Sequence, residues 1–318
     1  MQTNQIDIKA LLPVYALPGA IAVIVMLFTA FDPVFVTPSN LLAIIHQISI
    51  TGIMAVCMTF VIMTGGIDLS VGTVLAMSGL ISYFMLLAGF PLPLAITVGI
   101  LAGACTGCFT GYLVAYIGLP AMIVSLGSLS IIRGSALLAG GPDLHQIQNQ
   151  PGFEFIGNGF IAGVPLSVWL FVLVTAILVF VQRKTVFGLL VSNVGDNERA
   201  AFLSGRATRR IKMATYAICG MGAALAGIIQ ASQVHTASAT FGEFGTELDV
   251  IAAVVLGGTS MMGGKGSILR TVMGVLFLGV LNNGFNILDV PIEAQLMVKG
   301  AIIVVSLSLT EWANAKAV

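Results

Sequence analysis

An acid interrupts two long apolar runs near the start of this chain. The stretch Thr64-Gly65-Gly66-Ile67-Asp68-Leu69-Ser70-Val71-Gly72 places Asp68 where hydrocarbon is expected on both sides. A carboxylate there is costly unless it faces protein, water or a partner, so it marks a functional site by default. Gly65, Gly66, Gly72 and Gly79 let the backbone turn and let a neighbouring helix come close. Two roles fit Asp68: a cap for the next helix, or a direct part in moving a solute. A second acid, Asp249, opens Asp249-Val-Ile-Ala-Ala-Val-Val-Leu256, a weak echo of Asp68-Leu-Ser-Val-Gly-Thr-Val-Leu75. With five spans per half, the two acids fall at junctions on opposite sides of the membrane, as an inverted repeat of two five-helix halves would give. Few positions match, and chance similarity is the rival. Beyond it, Gly257-Gly258 and Gly263-Gly264 can open a helix, which at membrane depth is tolerated only against protein or a water-filled path. Arg133 lies among Ile131, Ile132, Gly134 and Ser135. It should face the protein interior, snorkel to an interface, or pair with a carboxylate.

A third stretch, Gly195-Asp-Asn-Glu-Arg-Ala-Ala-Phe-Leu-Ser-Gly205, is polar at its ends and small in its middle. Asp196 can cap a helix, Glu198 suits its first turn and Gly205 its stop, which predicts a helix of about two turns. Ala200 and Ala201 make one side small, and Phe202 and Leu203 give an apolar edge. Such a helix fits a groove on a soluble partner, or lies on lipid headgroups. The small Ala200-Ala201 face favours the partner.

The elements that carry these residues follow from composition. Of 318 residues, 58% are hydrophobic and 8% are charged. Soluble domains carry roughly 25% charged residues, so the solvent for this chain must be lipid. A net charge of zero argues against nucleic acid as a partner. At about 20 apolar residues per crossing, ten spans are expected: 11–30, 41–64, 71–89, 94–117, 119–140, 165–182, 213–232, 249–264, 269–288 and 292–310. The first is too long and lacks a clear cleavage site for a signal peptide. Residues 183–212 hold Arg183, Lys184, Arg199, Arg206, Arg209, Arg210 and Lys212 against Asp196 and Glu198. This basic loop should be cytoplasmic. With six spans before it and four after, both termini are expected in the cytoplasm too. The loop 141–164 has no lysine or arginine and suits the outside. Gly99, Gly103, Gly107 and Gly111 form one helical stripe, read as a packing face. Cys57, Cys105, Cys108 and Cys219 all lie in apolar runs and read as small buried side chains, without disulfide or metal.

These pieces together resemble the permease subunits of bacterial ABC importers for sugars, the ribose/xylose/galactose and autoinducer-2 type within the branched binding-protein-dependent transport family. The matching stretches are Thr64 to Gly72, Gly195 to Gly205, Leu248 to Ser260 with Gly263-Gly-Lys-Gly-Ser267, and Leu281-Asn282-Asn283-Gly284-Phe285 with Gln295 and Lys299-Gly300. The resemblance runs in order over about 40–310. It implies an all-α polytopic permease, a single transmembrane domain over 1–318, in the bacterial inner membrane. Its partners would be a cytoplasmic ATP-binding subunit, a periplasmic solute-binding protein and a second permease, with no cofactor. Gly65, Gly66, Asp68, Ser70, Arg133, Asp249, Asn282 and Asn283 would form the path or its structural breaks. Gly195, Asp196, Asn197, Ala200, Ala201 and Gly205 would couple to the ATPase. Asp196 and Arg206 depart from the family's usual small and aliphatic residues, as does Arg270 from a small one. No nucleophile–base pair and no phosphate loop occurs, so ATP hydrolysis belongs to another chain. The rival reading is a secondary transporter driven by an ion gradient.

Overall fold

The computed structural model of the protein describes residues 8–242 and 245–315. The described helices are α1 (Ile8–Phe31), α2 (Pro38–Met63), α3 (Val71–Leu87), α4 (Leu92–Tyr112), α5 (Ala121–Gly140), α6 (Pro151–Asn158), α7 (Leu166–Lys184), α8 (Val186–Asp196), α9 (Glu198–Leu203), α10 (Thr208–Gln233), α11 (Thr246–Leu256), α12 (Ile268–Ile287) and α13 (Ile292–Ala315). A π-helical turn, Leu113–Ile117, continues α4. Two-residue strands pair antiparallel, β1 (His145–Gln146) with β4 (Thr236–Ala237) and β2 (Phe160–Ile161) with β3 (Val164–Pro165).

Among the described residues, six helices are long and apolar enough to cross a membrane: α2, α4 with its π turn, α5, α7, α10 and α12. The other expected spans fall on α1, α3, α11 and α13. The expected span 249–264 is corrected: α11 stops at Leu256, and Gly258, Gly263 and Gly264 take positive φ in an irregular loop before α12. Two helices, α6 and α8, were not expected, because eight and eleven residues fall short of a span.

The core is built on α2 and α10. Every residue of α2 from Gly52 to Met63 is buried, as suits an apolar helix walled on all sides. The inner face of α10 is small: Gly220, Gly222, Ala223, Ala224, Ala226 and Gly227 are buried. The α4 glycine stripe lies on this face. A side chain at Gly103 would strike the Gly220 carbonyl, and one at Gly107 the Tyr216 carbonyl. The outer helices α5 and α7 expose Leu138 and Phe180 outward. The cysteine reading holds for Cys57 and Cys219, which are buried. It is corrected for Cys105, which is exposed, and Cys108, which is half-exposed: they sit off the buried stripe of α4.

The middle of the bundle is not helical at two segments of the chain. Gly66 packs on Tyr216, and Leu75 on Gly227, so the segment 64–70 climbs from the basic end toward the centre of α10. From there α3 runs toward the end that carries β1. The segment 238–242 comes to the same level, since the Gly242 carbonyl lies against Gly72. From there α11 runs the opposite way, toward the basic loop, where Gly257 packs on Arg270 and Thr271 at the start of α12. Two helix N-termini thus meet at mid-bundle from opposite directions.

Candidate functional site

The first break begins where α2 runs out. Thr64 closes the helix on Phe60 and Val61, and Gly65 takes φ +74°, a turn open to glycine at no steric cost. Asp68 is fully buried. Its Oδ1 accepts from the Ser70 backbone N–H at 2.9 Å and the Ser70 hydroxyl at 2.6 Å. This side chain–backbone loop ties the break to the start of α3 and sets the carboxylate near the positive helix end. Tyr216, absent from the sequence expectations, donates to the Ile67 carbonyl at 3.3 Å. Its position in an apolar helix gave no polar signal.

The second break is clamped from the side. Arg133 on α5 is half-buried, and its guanidinium donates to the Ala239 carbonyl and, at 2.9 Å, to the Phe241 carbonyl. Of its three expected fates, the structure shows it turned to the protein. Gly242 follows at φ +68°, packed so tightly on Gly72 that a side chain on either would strike backbone.

The remaining residues expected on the path separate. Asp249 in the first turn of α11 pairs with Lys299 of α13 at 2.9 Å. Asp249 and Asn282 line a cavity of about 40 Å³ with Gln47 and Thr51. The Asn282 Oδ1 is buried there with no hydrogen-bond partner among the described residues. Asn283 points elsewhere. It exchanges two hydrogen bonds with Asn40 of α2, at 2.9 and 3.0 Å, and clamps α12 to α2.

At the basic end, α8 is wedged between three chains. Gly195 packs on the Met63 carbonyl and the Gly264 N–H, which are themselves bonded at 2.8 Å. The Ser192 hydroxyl donates to the Gly264 carbonyl at 2.6 Å. Gln182 ends α7 by donating to the Gly266 carbonyl and accepting from the Ile268 N–H, both at 3.1 Å. The helix expected over 195–205 is corrected. Gly195 and Asp196 end α8, where only a glycine admits the neighbouring backbones, and α9 starts at Glu198. Asn197 is its cap, accepting from the Ala200 N–H at 2.9 Å. Gly205 follows α9 at φ +75°. Ala201 is corrected as a contact surface: it is 8% exposed and turned inward, whereas Ala200, Phe202 and Leu203 face out. The 100° between consecutive residues turns Ala201 to the protein side while its neighbours stay outside.

Between α9 and the first break lies a cavity of about 430 Å³, lined by Thr64, Gly66, Tyr116, Glu198, Arg209 and Lys212 among others. Lys212 and Glu198 pair at 2.5 Å across it, and Arg209 lies over the Tyr116 ring at 5.9 Å. No group of three metal-ligating side chains stands together among the described residues. The arrangement offers glycine-lined joints, buried clamps and a polar cavity.

The model for the branched-chain amino acid transport system / permease component family matches residues 40–307. The chain is 40% identical over 288 residues to the ribose import permease protein of Bacillus subtilis (strain 168), covering 90% of this chain and 89% of that one. It is 39% identical over 290 residues to the ribose import permease protein of Escherichia coli (strain K12), covering 90% of each. It is 32% identical over 297 residues to the L-arabinose ABC transporter permease protein of Azospirillum brasilense, covering 92% and 87%. No solved structure matches the chain. A family match over most of the length, with the two breaks and the α9 stretch inside it, means that this chain belongs to the branched-chain amino acid transport system / permease component family.

Proposed function

We propose that this chain is the membrane permease of an ATP-driven sugar importer in a bacterial inner membrane, and that it hydrolyses no ATP itself. The observation that carries this reading is the 40% identity to a ribose import permease over nine-tenths of the chain. A pentose is the substrate class that this relative and the arabinose permease support. The partners are a cytoplasmic ATP-binding subunit, a periplasmic solute-binding protein and a second permease copy or paralogue.

Ten crossings form the domain, with α3 and α11 covering only part of the membrane thickness, and both termini and the basic loop in the cytoplasm. The lysine and arginine asymmetry supports that orientation. α3 and α11 are the matching helices of two inverted five-span halves. Their N-termini meet at mid-bundle and their directions are opposite, as discontinuous helices do around a transporter's central path. α9 is the element that docks on the ATPase, presenting Ala200, Phe202 and Leu203.

A secondary transporter needs an embedded ion-coupling site. Asp249 is already paired with Lys299 and Asp68 with Ser70, which favours the importer. The test is uptake of D-ribose in proteoliposomes holding the permease, its ATPase and its binding protein. Uptake should require internal ATP and survive collapse of ion gradients. Uptake that follows a gradient and ignores ATP overturns the reading.

A further inference from the structure

We propose that the cavity of about 430 Å³ at the basic end is the exit vestibule for a neutral, polyhydroxylated solute, and that the Glu198–Lys212 ion pair is its latch. This rests on the importer reading above. The cavity touches the first break directly through Thr64, Gly65 and Gly66, and the buried Tyr216 closes its inner wall. Its volume falls within the ~300–1,000 Å³ of small-molecule sites. Its other wall is the π-helical turn Leu113–Ile117, ended by Gly118 at φ +82°. Such turns are rare and concentrate at functional sites. Here the turn ends α4 beside the break and brings Tyr116 onto the cavity under Arg209.

The chemistry suits hydroxyl groups. Arg209 and Lys212 donate, Glu198 accepts, and the tyrosines offer an apolar ring face beside a hydroxyl. Glu198 and Lys212 offset each other, and Arg209 lies over the Tyr116 ring.

The latch follows from where its two ends sit. Glu198 is the first residue of α9, and Lys212 belongs to α10, the central helix of the core. The lysine side chain is 18% exposed and the glutamate 46%. A shift of α9 away from α10 lengthens this pair and opens the cavity toward the basic end. Partly exposed pairs are weak, which suits a contact that opens and closes in every cycle. A partner that moves α9 therefore acts on the vestibule through one ion pair.

The test uses the permease–ATPase complex in proteoliposomes, with the four native cysteines replaced. Ala121→Cys, on the cavity wall, reports access by its rate of reaction with a charged thiol reagent. Glu198→Lys and Lys212→Glu should each raise that rate several-fold, and the double swap should return it close to the parent. In parallel, D-ribose taken up per ATP hydrolysed should fall several-fold in each single variant and recover in the swap. Millimolar D-ribose should slow labelling in the parent. Unchanged labelling in both single variants, or a swap that labels as fast as they do, overturns the latch. No slowing by D-ribose in a parent that transports it overturns the vestibule. A parent that labels as expected but takes up no D-ribose strikes instead at the sugar reading.

Discussion

Asp68 decides what the first break tolerates. Its carboxylate accepts twice from Ser70 through one oxygen, and asparagine keeps an oxygen in that place while leucine removes it. A buried donor left without its partner costs about 1–3 kcal/mol. Asp68→Asn should therefore lower the unfolding temperature in detergent less than Asp68→Leu, and keep more uptake. Equal loss in the two would show that charge rather than hydrogen bonding matters there. Arg133→Ala frees the carbonyls of Ala239 and Phe241 and should loosen 238–242. Faster hydrogen exchange at Ser238 and Phe241 is the expected sign, and unchanged exchange there with normal uptake would remove the clamp. That both side chains turn to the protein was legible in the sequence, because charge in an apolar run is conspicuous. What they hold was not. Partners more than a hundred residues away, such as Phe241 for Arg133, leave no local pattern, and Tyr216 looks like any aromatic in a span.

Elements were legible to the degree that lipid dictates them. Apolar runs of about 20 residues gave the long helices, and the four-residue glycine period gave the face that α4 lays on α10. A leucine at Gly107 would overlap the Tyr216 backbone, whereas nothing lies within 4 Å of a side chain at Gly127 on α5. Overpacking costs about 1–3 kcal/mol or more. Gly107→Leu should reduce the yield of folded, monodisperse permease, and Gly127→Leu should leave it unchanged. Equal behaviour of the two would contradict the close α4–α10 packing. Short elements were misjudged where glycine serves contact instead of a turn. Gly195 reads as the opening of a helix in sequence, but it sits at the end of α8 because Met63 and Gly264 leave no room for a side chain. The same geometry divides the two alanines of α9. Ala200→Glu places a charge on the outward face, and should detach the ATPase while the permease stays folded. Ala201→Glu buries a charge against its own chain, at several kcal/mol for an unpaired one, and should also lower the permease's own stability. Retention of the ATPase by Ala200→Glu, measured by co-purification, would take α9 out of the docking surface.

Across the whole molecule, the two ends differ in charge and in what they expose, and that difference can be read as an orientation. The basic end carries α8, α9 and the cavity that reaches Gly65 and Gly66. The other end carries the short strands, α6, and a 141–164 segment without lysine or arginine. Between them, Gly72 and Gly242 press backbone on backbone at mid-bundle. The lysine and arginine asymmetry predicts that the basic end faces the cytoplasm. Reporters should stand on exposed side chains. Ser192 is a poor one, because its hydroxyl is bonded to Gly264. Leu203, at 76% exposure on α9, and Leu144, at 65% in the acidic segment, are good ones. In intact cells lacking native cysteines in this chain, an impermeant thiol reagent should label Leu144→Cys and spare Leu203→Cys. After the inner membrane is permeabilised, Leu203→Cys should label as readily. Bound ATPase should then slow Leu203→Cys again if α9 is the docking element. Labelling of Leu203→Cys in intact cells would invert the orientation and put α9 where no ATPase can reach it.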